Sequence, residues 1–209
     1  MLINYGMIAV ITGDLMHSQE LSPEKWLPDL KAILAKWGNT PEYWEIYRGD
    51  SFQLVLDQPS ECINATVLLK SCIKRIRPLD LRMGIGIGER SYASGKVTES
   101  NGSAFVRSGE TFESLKNLKQ EIAIKSPWEE LDQMINMELK LVQTILQGWT
   151  SNAAEAVFHS LSQPDLSQEE QGAKLGITQH AFSTRLKRAH FEVIRQWLEY
   201  ASQKIAMQI

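Results

Sequence analysis

Cysteine is scarce in this chain, and Cys62 and Cys72 are its only two. On a single helix, rising about 1.5 Å per residue, they would lie roughly 15 Å apart and out of disulfide reach. They read as reduced core residues of a cytoplasmic protein. Long apolar runs are also missing: none approaches the roughly 20 residues that span a bilayer, so no membrane partner is expected. Met1 to Val10 has neither a basic start nor a cleavage site and reads as a strand rather than a signal peptide. Nor is there an excess of positive charge. The net charge is −3, so any nucleic-acid contact must come from a local patch.

Apolar patterning gives the order of the first half. Gly6 to Thr12 is a continuous apolar run, as in a strand buried on both faces, and it is expected to end at Gly13-Asp14. Ser22-Pro23 reads as a helix start for the apolar series from Trp26 to Trp37, which Gly38-Asn39 stops. Two strand-forming runs, Tyr43 to Tyr47 and Phe52 to Leu56, flank Arg48-Gly49-Asp50-Ser51 and predict a hairpin turning at Gly-Asp. A helix follows from about Pro59 to Ile76. Leu81 to Gly88 then alternates, with Leu81, Met83, Ile85 and Ile87 on one face and Arg82, Gly84, Gly86 and Gly88 on the other. The bare glycine face lets a helix or a ligand approach the backbone.

The resulting β-α-β-β-α-β order is the ferredoxin-like arrangement. A crossover makes the first two strands parallel, so the first ends where the second turns into the third. Asp14 and Asp50 therefore converge on one sheet edge. Two adjacent carboxylates repel unless a cation lies between them, and hard divalent ions prefer oxygen ligands. Ser103 to Leu118 reads as a helix and Ile122 to Ile124 as a short strand. Ser126-Pro127-Trp128-Glu129 is then a second helix start with a capping box. The predicted class is α+β: a ferredoxin-like βαββαβ domain over 1–125, a connector helix over 126–149, and an all-α domain over 150–209.

That last segment has its own motif. Ser167 to Thr178 reads as a capped helix, with Glu170 as capping-box partner, and then a glycine turn. A second helix begins at Thr178 with Phe182, Leu186 and Ala189 inward. Small Gly172 falls four residues before Gly176, where two helices must cross closely. This is helix-turn-helix spacing. The second helix carries Arg185, Lys187 and Arg188 without an acid, which suits phosphate contacts. Its early residues Thr178, Gln179, His180 and Ser183 are placed for base edges. The blander alternative is an αα-hairpin with a solvated basic face.

Ile11-Thr12-Gly13-Asp14-Leu15, Arg48-Gly49-Asp50-Ser51-Phe52, Arg82 to Glu89 and Gly102-Ser103-Ala104-Phe105 together resemble the SatD-family pattern, over essentially the whole chain. Over about the first 125 residues the pattern is similar in outline to nucleotide cyclase and GGDEF catalytic domains. The resemblance implies that Asp14 and Asp50 hold Mg²⁺ or Mn²⁺. It also implies that Gly13, Arg48, Gly49 and Ser51 lie around a nucleotide or phosphate ligand. The asparagine and arginine that cyclases carry on the following helix fall here near Val106 and Glu110, with Arg107 out of register. The base-selecting lysine has no counterpart, although Glu45 and Tyr47 lie on the right strand. His17 reads as a surface loop residue. No catalytic residue is assigned, and no cyclisation is expected.

Three functions follow as expectations. The first is a DNA-binding regulator, as a homodimer, with a degenerate metal- and nucleotide-binding sensor domain. The second is an active nucleotidyl-transfer enzyme using the helical segment to dimerise. The third is a ligand-free dimerisation scaffold.

Overall fold

The computed structural model describes residues 6–209; the strand expected from Met1 therefore lies outside the described residues up to Tyr5. The chain is α+β, with a five-stranded mixed sheet in the order β2-β3-β1-β4-β5. The strands are β1 (Met7–Met16), β2 (Trp44–Tyr47), β3 (Ser51–Leu56), β4 (Asp80–Glu89) and β5 (Ile122–Lys125). β1 lies between β3 and β4, antiparallel to both, and β5 runs parallel to β4.

β1 does not stop at Gly13-Asp14. It continues to Met16 with Asp14 paired on both sides, because Leu15 returns to the core and Arg82 lies opposite Asp14. Gly13 is paired on both sides within the strand, and only glycine fits there because the Phe52 ring and the Arg82 carbonyl occupy the space a Cβ would need.

The alternation in β1 feeds two layers. Ala9 and Ile11 face a large apolar cluster with α1 (Leu27–Leu34) and α2 (Cys62–Lys74). Ile8 and Val10 face Ala104 and Phe105 of α3 (Ser103–Leu118). α3 claims the glycine face of β4: a Cβ on Gly84, Gly86 or Gly88 would overlap the backbone of Phe112, Ser108 or Ala104. A helix, then, makes the close approach that the alternate glycines permit.

Two helix starts differ from expectation. Ser22 makes no capping bond and leads only into the short turn Pro23–Lys25; α1 begins at Leu27, with proline in its first turn. The Ser126–Glu129 capping box is not formed either. Asp132 instead accepts the Ser126 backbone N–H at 2.8 Å, and α4 (Glu129–Gln147) starts after Trp128. Cys62 and Cys72 are buried, free thiols on α2, and burial pushes them up to about 12 and about 11.

Four more helices follow: α5 (Ser151–Ser162), α6 (Gln168–Lys174), α7 (Gln179–Arg188) and α8 (Phe191–Ala206). α5 and α8 pack against α2, so the apolar cluster under the sheet continues into the C-terminal helices through Val157, Phe182, Ile194 and Leu198. Among the described residues no helix is long and apolar enough to cross a membrane.

Candidate functional site

The hairpin between β2 and β3 turns through Arg48-Gly49-Asp50. Arg48 (φ 51°) and Gly49 (φ 92°) both take positive φ. The Asp50 carbonyl accepts the Leu15 N–H at 3.2 Å, and its carboxylate accepts the Ser18 hydroxyl at 2.5 Å. The tip is thus clasped onto the end of β1, which brings Asp50 and Asp14 to one edge. Across the strands there, Tyr47, Ser51, Asp14 and Arg82 stand in a row, all half-buried. The next row holds Glu45, Gln53, Thr12 and Gly84. Gln53 donates to the Thr12 hydroxyl at 3.3 Å, and that hydroxyl lies 3.0 Å from the Ser108 hydroxyl of α3.

Asp14 already has a cation. Arg82 Nε donates to Oδ1 at 3.0 Å and Nη2 to Oδ2 at 2.5 Å, a side-on pair using both carboxylate oxygens. The bond to Asp14 holds the Arg82 guanidinium above its usual value against partial desolvation, and the charges of Asp14, Asp50 and Glu121 add to this. Burial raises the Tyr47 phenol as well, with Arg48 opposing and Asp14 adding.

Mg²⁺ or Mn²⁺ does not fit these residues as they stand. Such an ion gathers about six oxygen ligands, usually including several waters and one or two free carboxylates. Here both Asp14 oxygens are engaged by a guanidinium and one Asp50 oxygen by a hydroxyl. Among the described residues, no group of three or more His, Cys, Asp or Glu side chains could hold a metal.

The positions singled out for a nucleotide are split. Arg48 and Gly49 are exposed at the tip, Ser51 is half-buried beside Asp14, and Gly13 is covered by Phe52. Val106 and Glu110 are exposed, Arg107 donates to the Ile87 carbonyl at 2.8 Å, and Glu45 accepts from Thr98. His17 is exposed and lies 2.9 Å from Glu20. A cavity of about 470 Å³ lies elsewhere, between α2, α5, α6 and α8, lined in part by Asn64, Gln171, Phe191 and Arg195.

At the C-terminal end, the capping box of Ser167 and Glu170 is formed, with Ser167 accepting the Glu170 N–H at 3.3 Å. Gly172 lies under the Ile177 and Thr178 carbonyls, and Gly176 (φ 66°) makes the turn between α6 and α7. Thr178 caps α7 by accepting the Ala181 N–H at 3.2 Å. Phe182, Leu186 and Ala189 face inward, while Gln179, His180, Ser183, Lys187 and Arg188 are exposed. Arg185 is set apart from them: it donates to Glu155 of α5 at 2.8 Å and is only partly exposed.

Sequence reasoning missed one cluster entirely. Lys70, fully buried on α2, is paired with Asp80 at 2.7 Å and with Glu121, and Lys74 meets Asp80 at 2.5 Å. Its partners lie ten and 51 residues downstream, so no local spacing announces it.

Compared with family models, the chain matches the SatD family over residues 7–205. No curated protein matches it.

Proposed function

From the premise that the chain belongs to the SatD family, we propose that it is a DNA-binding regulatory protein. In this reading α6, its glycine turn and α7 are a helix-turn-helix, and the sheet is a ferredoxin-like, cyclase-related regulatory part. The observation that carries it is the surface of α7. An amphipathic helix with a buried apolar side offers Gln179, His180, Ser183, Lys187 and Arg188 to solvent, with no acid of its own. Lys187 and Arg188 enter no ion pair among the described residues. An acid-free exposed face suits the negative potential of a phosphate backbone, and a helix of this kind fits the major groove. Lys187 and Arg188 then meet phosphates, Gln179 and Ser183 reach base edges, and a homodimer reads two half-sites. Thr178 serves as the cap, and Arg185 holds α7 against α5.

A nucleotide or other phosphate-bearing molecule is the class of effector this reading gives the sheet edge, with Arg48, the Gly49 backbone and Ser51 as the groups it would meet. Cyclisation is not part of the reading, because Val106 and Glu110 stand where the transferring chemistry would need an amide and a cation.

Selection from a random-sequence duplex pool with the intact chain tests the DNA reading. The expected result is an enriched motif that changes at one position in Gln179→Ala, since glutamine pairs bidentately with adenine. Failure to enrich any sequence, together with no retention of DNA at low salt, would refute it.

A further inference from the structure

The sheet edge that carries Asp14 and Asp50 contains a built-in cation, whatever α7 does. Asp14, inside β1, lies opposite Ser51 and so one position from the Asp50 turn, and carboxylates brought near one another are unstable without a counter-charge. Arg82 supplies one from directly across β1. Its fork matches a carboxylate side-on, in the strongest pairing an arginine makes. The pair is partly withdrawn from water, with side chains 36% exposed for Arg82 and 18% for Asp14. The neighbouring position on the same face of β4 is Gly84, covered by the α3 backbone at Ser108 and Phe112. Arg82 is therefore walled on that side and lies toward β1. On the other flank the Ser18 hydroxyl fixes Asp50.

We propose that Arg82 takes the place of a divalent cation at this edge, so that Asp14 is held by a covalently attached charge, Asp50 by Ser18, and the edge is independent of metal. A dication in solution must displace a guanidinium that cannot diffuse away, and then strip part of its own hydration to use only two carboxylates. Removing Arg82 frees both oxygens of Asp14, next to the hairpin tip that carries Asp50, and free carboxylate oxygens are what a hard cation seeks. The Arg82 charge also lowers the net negative potential at the hairpin, so an anionic ligand could approach Arg48 without a metal bridge.

The test is Mn²⁺ binding to the intact, chelator-washed chain, read from the loss of the free-ion paramagnetic signal, with Mn²⁺ as the only ligand. Wild type should leave the signal unchanged up to about 1 mM, whereas Arg82→Gln should bind at least about tenfold tighter. Adding Asp14→Asn to Arg82→Gln should return binding to the wild-type level. If Arg82→Gln does not fold, Arg82→Lys carries the comparison: a lysine keeps the charge but cannot hold both oxygens, and should bind Mn²⁺ more tightly than wild type. Tight Mn²⁺ binding by wild type that Asp14→Asn abolishes would overturn the proposal. So would variants at Arg82 that bind no better than wild type.

Discussion

Lys70 has no exposed surface, yet it carries a charge between β4 and β5. A lysine in that position persists because Asp80 and Glu121 surround its ammonium and the Leu81 carbonyl accepts from it at 3.1 Å. Truncating it leaves two carboxylates with little solvent. Lys70→Ala should therefore cost about 3–5 kcal/mol in urea unfolding. Asp80 reports the same cluster through pH. Burial by itself would raise its carboxyl, but the charges and hydrogen bonds of Lys70 and Lys74 outweigh this and hold it below the ordinary value. A carboxyl lowered in the folded state stabilises the protein above its unfolded value, and that contribution is lost as pH falls through the folded one. Unfolding free energy should thus drop as pH goes below roughly 4. In Asp80→Asn the baseline should be lower at neutral pH and this acid slope shallower; an unchanged slope would remove Asp80 from the account.

Among the elements, β4 and α3 depend most visibly on residue size. Gly86→Ala puts a methyl group against the Ala104 carbonyl and the Ser108 N–H, both of them backbone, so α3 must lift. Overpacking of this kind costs about 1–3 kcal/mol and sometimes more, and a thermal melt should show it as a lower midpoint. This contact was legible in outline, since three alternate glycines in an apolar strand announce a bare face. The sequence could not say whether a helix or a ligand would fill it. The end of β1 was misread for a related reason. Gly13-Asp14 looks like a turn locally, and the partner that keeps Asp14 in the strand, Arg82, is 68 residues away. The α6–α7 unit was the most legible part, because Ser167, Glu170, Gly176 and Thr178 act within a few residues of themselves. The role of Arg185 was hidden, since Glu155 belongs to another helix. Arg185→Ala and Glu155→Gln should each lower stability by no more than about 1 kcal/mol, the pair being partly exposed.

At the scale of the whole molecule, the helices that would meet DNA are bonded to those that cover the sheet. α5 and α8 lie on α2, Arg185 ties α7 to α5, and Trp149, between α4 and α5, donates to the Ala189 carbonyl at the end of α7 at 2.9 Å. A shift of α2 would thus reach α7 through packed contacts. The central claim is that the exposed face of α7 meets a phosphate backbone. Anisotropy titrations of the intact chain on a labelled duplex, from about 50 to 200 mM salt, test it most directly. The account predicts binding whose logarithm falls linearly with the logarithm of salt, with the slope shallower by about two when Lys187 and Arg188 are both alanine. No binding at the lowest salt, or an unchanged slope in that double variant, would contradict it.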